Sequence, residues 1–409
     1  MERLADAVLP LVRTRSDLHR WRNANAHGAQ MHEAVDILEE AAQSEDPAVV
    51  LAVTQKAIAS AMKGIMRADD SSGVIGDACR RLLALHPIVA ARARPPVASL
   101  VDWMVKIQFN DECDLFEIDP VAYAPALGDV GIAAYRRKLR AIEAGLGEPP
   151  PIGERWSSPE ALAWFRLDWN AQRLAVLDRD VEAVIRTHVR DRKVARWVHD
   201  TARALEEIGE IDLAIDWARQ ATDFDRGNQS LAAAEYWCSL LATHRPDEVI
   251  AARLHVFRRW PNSTTAARLR EAAGRGWPSL SEEVMQRLAA NPQDAVLFAL
   301  LHLRDVRLAW ELAHSLALDD DDAWRRVAAE YESIDRLAVL PILVRLVEAD
   351  LQVAGAQHYR DAARRLARMR RLAAGTAEAP AVDALVADLR VVHRRRPRLQ
   401  QEFDRAGLP

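Results

Sequence analysis

Apolar residues recur along most of this 409-residue chain at the three- and four-residue spacing of a single helix face. At Asp46-Pro47, a residue suited to N-capping precedes a proline at the first helical position, which is how such a helix begins. The apolar positions that follow are Val49, Val50, Val53, Ala57, Ile58, Ala61 and Ile65. Because the alternation typical of strands never lasts more than a few residues, the pattern predicts an all-α protein.

Glycine and proline divide the helical pattern into three predicted parts. Residues 1–150 are predicted to form an N-terminal helical domain, because the Gly- and Pro-rich stretch 145–153 ends its last helix. The helical pattern then resumes and predicts a repeat region over residues 157–375. The last part, residues 376–409, is predicted to be an Arg-rich C-terminal helix.

The segment Trp197–Phe224 is the most informative part of the repeat region. It predicts two helices joined at Gly209, with alanines where a tetratricopeptide unit needs small side chains between its helices. A similar hairpin, Leu297–Leu316, repeats the pattern 95 residues later, close to three periods of about 34 residues. The Trp and Pro of the full repeat are absent. We therefore expect an α-solenoid of degenerate tetratricopeptide-like hairpins, whose concave surface binds other proteins.

Composition places the chain among folded proteins, since half of its residues are hydrophobic and 28% are charged. Apolar runs are interrupted by polar residues, and no basic segment followed by an apolar core opens the chain. The expectation is a cytoplasmic protein that does not enter a membrane. Cys79, Cys113 and Cys238 are far apart and odd in number, so neither a disulfide framework nor a metal site is predicted.

Charge is distributed unevenly along the chain. The net charge is −5, yet the tail from His358 to Pro409 holds twelve Arg and six Asp or Glu, which leaves −11 for the rest. Arginines in this tail recur at helical spacing and then in a compact cluster, as a phosphate-binding surface requires. The candidate nucleic-acid-binding residues are Arg364, Arg368, Arg371, Arg394, Arg395, Arg396 and Arg398. The alternative is a solvated face, or one paired with acidic residues. The aromatic residues suited to base stacking in the tail are Tyr359 and Phe403.

Four segments resemble the helical region that follows the zinc finger in bacterial SWIM zinc-finger proteins and in related uncharacterised families. They are RADDSSGVIGD at Arg67–Asp77, RRLLALH at Arg80–His86, YRDAARRLARMRRL at Tyr359–Leu372 and HRRRPRL at His393–Leu399. The resemblance implies a helical accessory region linked to nucleic acid or to a partner machine. The finger itself needs a C-x-C pair and a C-x-H pair, and the three cysteines of this chain do not supply them.

Few residue patterns indicate chemistry. Arg81 and His86 have the R-x4-H spacing of helical ribonucleases. The alternative is an ordinary helix end, where the dipole of the helix C-terminus favours a His cation. The acidic segments 69–73, 111–114 and 319–322 are interpreted as turns and helix caps. Phosphate-binding glycine loops are absent from the sequence, so no nucleotide cofactor is predicted. No local signature of a serine or cysteine nucleophile occurs either, so no catalytic residue is predicted.

The sequence therefore favours a non-enzymatic scaffold or adaptor that holds another protein on its helical-repeat surface. Most tryptophans are expected to be core, and the candidate protein-binding residues are Trp217, Tyr236 and Trp237. The first alternative is a nucleic-acid-associated accessory protein that uses the Arg-rich C-terminal helices. The second alternative is a ribonuclease that uses Arg81 and His86.

Overall fold

The computed structural model describes residues 2–109, 117–151, 157–158 and 160–409. Within these ranges the chain forms 21 α-helices, short 3-10 turns and one π-helical turn, and no strand. The predicted all-α class is confirmed. Cys113, the acidic segment 111–114 and most of the Pro-rich stretch before residue 157 lie outside the described residues.

Contacts divide the chain into two compact units, Met1–Phe224 and Asp225–Pro409. The boundary between the units therefore falls inside the repeat region that the sequence predicts for residues 157–375. The predicted domain 1–150 forms only the first part of the first unit. The first unit contains α1 Glu2–Val12, α2 Trp21–Ser44, α3 Pro47–Ile65, α4 Val74–Ala93, α5 Val97–Gln108, α6 Pro120–Leu146, α7 Ala161–Asp178, α8 Val181–Val189, α9 Ala195–Glu207 and α10 Ile211–Asp223.

Local sequence explains how several of these helices begin. The side chain of Asp46 accepts a hydrogen bond from the backbone N–H of Ala48, and Pro47 occupies the first turn of α3, as predicted. Asp70 accepts from Ile75 and Gly76 at the start of α4, so the cap interpretation of segment 69–73 is confirmed. These bonds satisfy backbone donors that have no partner within the helix.

The helix α3 is apolar along most of its length and contains no Arg, Asp or Glu. The helix is long enough and apolar enough to cross a membrane, but the buried core helices of soluble proteins are often equally long and apolar. Half of its apolar segment is buried within the structure, where α3 packs against α1 and α4. Val50, Val53 and Ala57 on its buried face have no exposed surface.

A closed ring of three hydrogen bonds ties α5, α6 and α7 together in the first unit. The amide of Gln108 donates to the hydroxyl of Tyr135 at 2.6 Å, and that hydroxyl donates to Oδ1 of Asn170 at 2.7 Å. The amide nitrogen of Asn170 closes the ring on Oε1 of Gln108 at 2.8 Å. All three side chains are buried, and burial raises the pKa of Tyr135. The ring therefore satisfies polar groups that would otherwise carry a desolvation cost.

The second unit begins at α11 and is held by two clusters of buried apolar side chains. It contains α11 Asn228–His244, α12 Val249–Arg259, α13 Ser263–Ala273, α14 Pro278–Leu288, α15 Pro292–Leu297, the π-helical turn Phe298–Leu303, α16 Val306–Ser315, α17 Asp321–Tyr331, α18 Leu340–Gln352, α19 Ala356–Ala373, α20 Ala379–Val392 and α21 Pro397–Arg405. The side chain of Asp320 accepts from the N–H of Ala323 and caps α17, as expected for segment 319–322.

The Arg-rich segment 376–409 forms two helices, α20 and α21, where the sequence predicts one. Pro397 begins α21, and Arg396 before it has non-helical backbone angles, φ −107° and ψ 78°. Steric clash with a proline ring disfavours the helical conformation in the residue that precedes it, so the first helix cannot run through this point. Leu399 and Phe403 have no exposed surface and fix α21 to the second unit.

Candidate functional site

A groove of about 520 Å³ lies beside α10 in the first unit. It is lined by Arg192, Val198, Asp216, Trp217, Arg219, Gln220, Asp223 and Phe224, and we call it the α10 groove. The hairpin of α9 and α10 positions these residues. Gly209 has a positive φ of +86°, which lets the chain reverse between the two helices, and Ala202 and Ala214 are fully buried where the helices pack.

The α10 groove combines an apolar surface with charges of both signs. The guanidinium of Arg192 lies over the ring of Trp217, 5.3 Å from its centroid, and Phe224 is 40% exposed. Arg219 and Asp223 form an ion pair one helical turn apart, at 3.9 Å. Exposed aromatic surface bordered by charged groups is typical of sites that bind peptide segments.

Trp217 is the only one of the three predicted protein-binding residues that lines this groove. It is 8% exposed, so most of its side chain belongs to the core. Tyr236 and Trp237 lie on α11 in the second unit. Trp237 is buried, with its ring edge-on to His255. Sequence reasoning did not select Arg192 or Phe224. Phe224 carries a usable signal, because it is a large aromatic residue directly after the last residue of α10.

Most candidate arginines on α19 are engaged within the chain. Arg364 pairs with Asp361, and the guanidinium of Arg368 donates to Glu332 at 2.6 Å. Arg371 is exposed and has no ion pair within the described ranges. The helical spacing did place these arginines on one face. However, two of these three arginines pair with acidic residues, which is the alternative that the sequence left open.

Three other candidates form a free basic surface where α20 turns into α21. Arg394, Arg395 and Arg398 are exposed and make no ion pair with any described residue, and we call them the basic corner. Arg396 is used differently, since its guanidinium donates to the carbonyl of Leu351 at 2.7 Å. The side-chain amide of Gln400 donates to the carbonyls of Arg390 and His393, which holds the turn in place.

The aromatic residues of the tail do not accompany this basic corner. Tyr359 is 8% exposed and Phe403 has no exposed surface. Neither ring offers a face on which a nucleic-acid base could stack. An interaction of the basic corner with nucleic acid would therefore be limited to phosphates, which gives affinity without sequence readout.

Arg81 and His86 do not form a joint site. Arg81 donates to the carboxylates of Asp36 and Glu39 at 2.6 and 2.8 Å. His86 has no exposed surface, its ring stacks on Trp103 with centroids 3.9 Å apart, and burial lowers its pKa to about 3. A group that is inaccessible and neutral cannot reach an RNA backbone in this conformation.

The expected helix end at His86 is wrong. Helix α4 continues to Ala93 and accommodates Pro87 in its interior. Nδ1 of His86 lies 2.8 Å from the hydroxyl of Tyr123. His86 is therefore a core residue, and the dipole of a helix C-terminus plays no part in its environment. Among the described residues, no group of His, Cys, Asp and Glu is arranged to hold a metal ion.

A family model named DUF6880, described as a family of unknown function, matches residues 7–399. No curated protein and no solved structure matches the chain.

Proposed function

The chain belongs to the DUF6880 family, and we propose that it is a non-enzymatic scaffold or adaptor that binds a partner protein in the α10 groove. The observation that supports this most directly is the side chain of Phe224, which is 40% exposed in a groove that Trp217, Arg192 and Arg219 also line. Such a surface offers an apolar anchor site and charged groups that fix the orientation of a bound segment.

The proposed architecture is an α-solenoid of degenerate tetratricopeptide-like hairpins. The hairpin of α9 and α10 supports it, because small residues lie between its helices and Gly209 joins them. In a solenoid each hairpin buries its apolar face against its neighbours and leaves a continuous surface for partners. The resemblance to the helical region of SWIM zinc-finger proteins fits an accessory role of this kind, carried out in the cytoplasm.

Replacing Phe224 with aspartate is expected to reduce capture of the partner by at least tenfold. Full burial of a phenylalanine side chain contributes about 1.5–3 kcal/mol, of which a partner gains only the part from the 40% of Phe224 that is exposed. A carboxylate in its place adds a desolvation cost to this loss. The measurement is quantitative cross-linking and mass spectrometry of proteins bound to the full chain in extracts of the producing cells.

The matched control for this variant is Ile250→Asp. Ile250 is 42% exposed, close to the 40% of Phe224, and lies on α12 in the second unit. We expect Ile250→Asp to retain the same partner at the same yield. If the proteins captured by Phe224→Asp and by the unchanged chain are identical in identity and amount, the α10 groove is not the partner site.

A second candidate function is phosphate-backbone binding to nucleic acid, and the basic corner is the observation that favours it. Three exposed arginines that form no ion pair with a described residue lie within five residues, on a turn held in place by Arg396 and Gln400. Each guanidinium is free to neutralise a phosphate and release a counterion.

The triple variant Arg394→Glu, Arg395→Glu, Arg398→Glu is expected to abolish binding of duplex DNA. Before substitution, the logarithm of the association constant should fall with the logarithm of salt concentration with a slope of about −2.7, as three phosphate contacts require. Fluorescence anisotropy across a salt series measures both quantities. The control makes the same charge change on α19, at Arg360, Arg364 and Arg371. Absence of binding at low salt, or equal loss in the control, would exclude the basic corner as the site.

A further inference from the structure

A second groove, open and apolar, lies between α18 and α20 in the second unit and has a volume of about 400 Å³. Both helices pack against α19, and the buried side chain of Met369 on α19 forms the floor of the groove. On α18 the lining positions are Leu340, Pro341 and Val344, and in the turn before it they are Leu337 and Ala338. Leu337, Leu340, Pro341 and Val344 follow the spacing i, i+3, i+4, i+7, which continues the face of α18 into the preceding turn.

The α20 side repeats the same spacing with Glu378, Ala381, Val382 and Leu385. Helix α18 precedes α19 and α20 follows it, each through a short connection, and both helices pack on α19. The two outer helices therefore run in the same direction, and so do the two rows of lining residues, or stripes. Two parallel stripes of this spacing, each two turns long, form the kind of groove in which an amphipathic helix places its own apolar face. The flexible side chain of Met369 can adapt to the shape of the side chains that bind in the groove.

Few polar groups converge on the groove, which separates it from a small-molecule site. Small-molecule sites enclose most of the ligand and place several polar side chains around it. Among the lining residues, Glu378 alone carries a charge, and it lies at one end. The openness and the repeated apolar spacing favour a helix as the occupant.

The ends of the groove are acidic. Glu348 comes one turn after Val344 on α18, and Asp388 comes one turn after Leu385 on α20, so each continues its stripe at the same end. Glu348 and Asp388 are exposed and form no ion pair with described residues, and Glu378 marks the opposite end. The groove is therefore apolar in its middle and negatively charged at both ends.

We propose that the groove between α18 and α20 binds an amphipathic helix of a partner protein, with apolar side chains at i, i+3, i+4 and i+7 and with Lys or Arg at both ends. The apolar stripes supply the contact area, and the carboxylates select the charge of the partner. This surface lies in the second unit and shares no residue with the α10 groove. An experiment that disproves binding at one of these two surfaces would therefore leave the proposal for the other surface standing.

The test uses the full chain and a fluorescein-labelled synthetic helix of about five turns, with leucines at the four apolar positions and lysines at both ends. Fluorescence anisotropy is expected to show binding that Ala381→Arg weakens at least tenfold, because the arginine fills the groove and adds a positive charge. Ala384→Arg is the matched control. Ala384 is also an exposed alanine on α20, but it does not line the groove, so its substitution should change affinity less than twofold.

A charge exchange distinguishes recognition from nonspecific adhesion of an apolar peptide. The double variant Glu348→Lys, Asp388→Lys should bind the lysine-ended helix at least tenfold more weakly than the unchanged chain does. The same variant should bind a glutamate-ended helix more tightly than the unchanged chain does. Equal binding of both helices by both chains would overturn the proposal. A dimer in sedimentation experiments that Ala381→Arg dissociates would also overturn it, because the groove would then be occupied by a second copy.

Discussion

Tyr135→Phe is expected to lower the free energy of unfolding of the first unit by about 2–6 kcal/mol, although it removes a single oxygen atom. The hydroxyl accepts from Gln108 and donates to Asn170, and all three side chains are buried. Without it, one N–H of Gln108 and one oxygen of Asn170 lose their partners in the core. Each buried polar group left unpaired costs about 1–3 kcal/mol. Urea unfolding followed by circular dichroism measures the change.

Tyr331→Phe is the control for this prediction. Its ring stacks on Trp310 with centroids 4.2 Å apart, and its hydroxyl makes no hydrogen bond with a described residue. Removing that hydroxyl should change stability by less than about 0.5 kcal/mol, the usual range for substitutions away from such features. If Tyr135→Phe lowers the free energy of unfolding no more than Tyr331→Phe does, a water molecule or a rearranged amide replaces the hydroxyl in the ring of hydrogen bonds.

The ring also shows where prediction from sequence reached its limit. Helical periodicity and the Asp46-Pro47 start signal were sufficient to predict an all-α chain, because these patterns are local. The partnership of Gln108, Tyr135 and Asn170 joins residues up to 62 positions apart. Nothing in the local sequence distinguishes these side chains from exposed polar residues, since their pairing depends on how α5, α6 and α7 pack.

The candidate sites show the same distinction. Arginine spacing indicated a basic face on α19, yet whether a guanidinium is free depends on acidic residues elsewhere, such as Glu332 opposite Arg368. Pro397 begins α21 at a point where the sequence predicts one continuous helix, and α4 continues through Pro87 although a helix end was expected at His86. A proline in a helix interior removes one backbone hydrogen bond, and tertiary packing around His86 and its neighbours outweighs that loss.

Acid is expected to destabilise the first unit steeply, and His86 is expected to account for about 1.4 kcal/mol of that loss per pH unit. Burial lowers the pKa of His86 to about 3, whereas a histidine in the unfolded chain has a pKa near 6.5. Below pH 6.5 the unfolded chain therefore gains a proton that the folded chain does not accept. The stability contributed by neutral His86 is complete above pH 6.5 and falls by about 3 kcal/mol by pH 4.5.

Urea unfolding at several pH values between 7 and 4.5 measures this dependence, and the slope against pH is the diagnostic quantity. His86→Asn should reduce the slope by about one proton, whatever its effect on stability at pH 7. Burial also lowers the pKa of His27 and His188, so a residual slope of the same sign should remain in the variant. His19→Asn, at an exposed position, is the control. Equal slopes for the unchanged chain and His86→Asn would mean that His86 becomes protonated within the folded unit, through local opening around Trp103 and Tyr123.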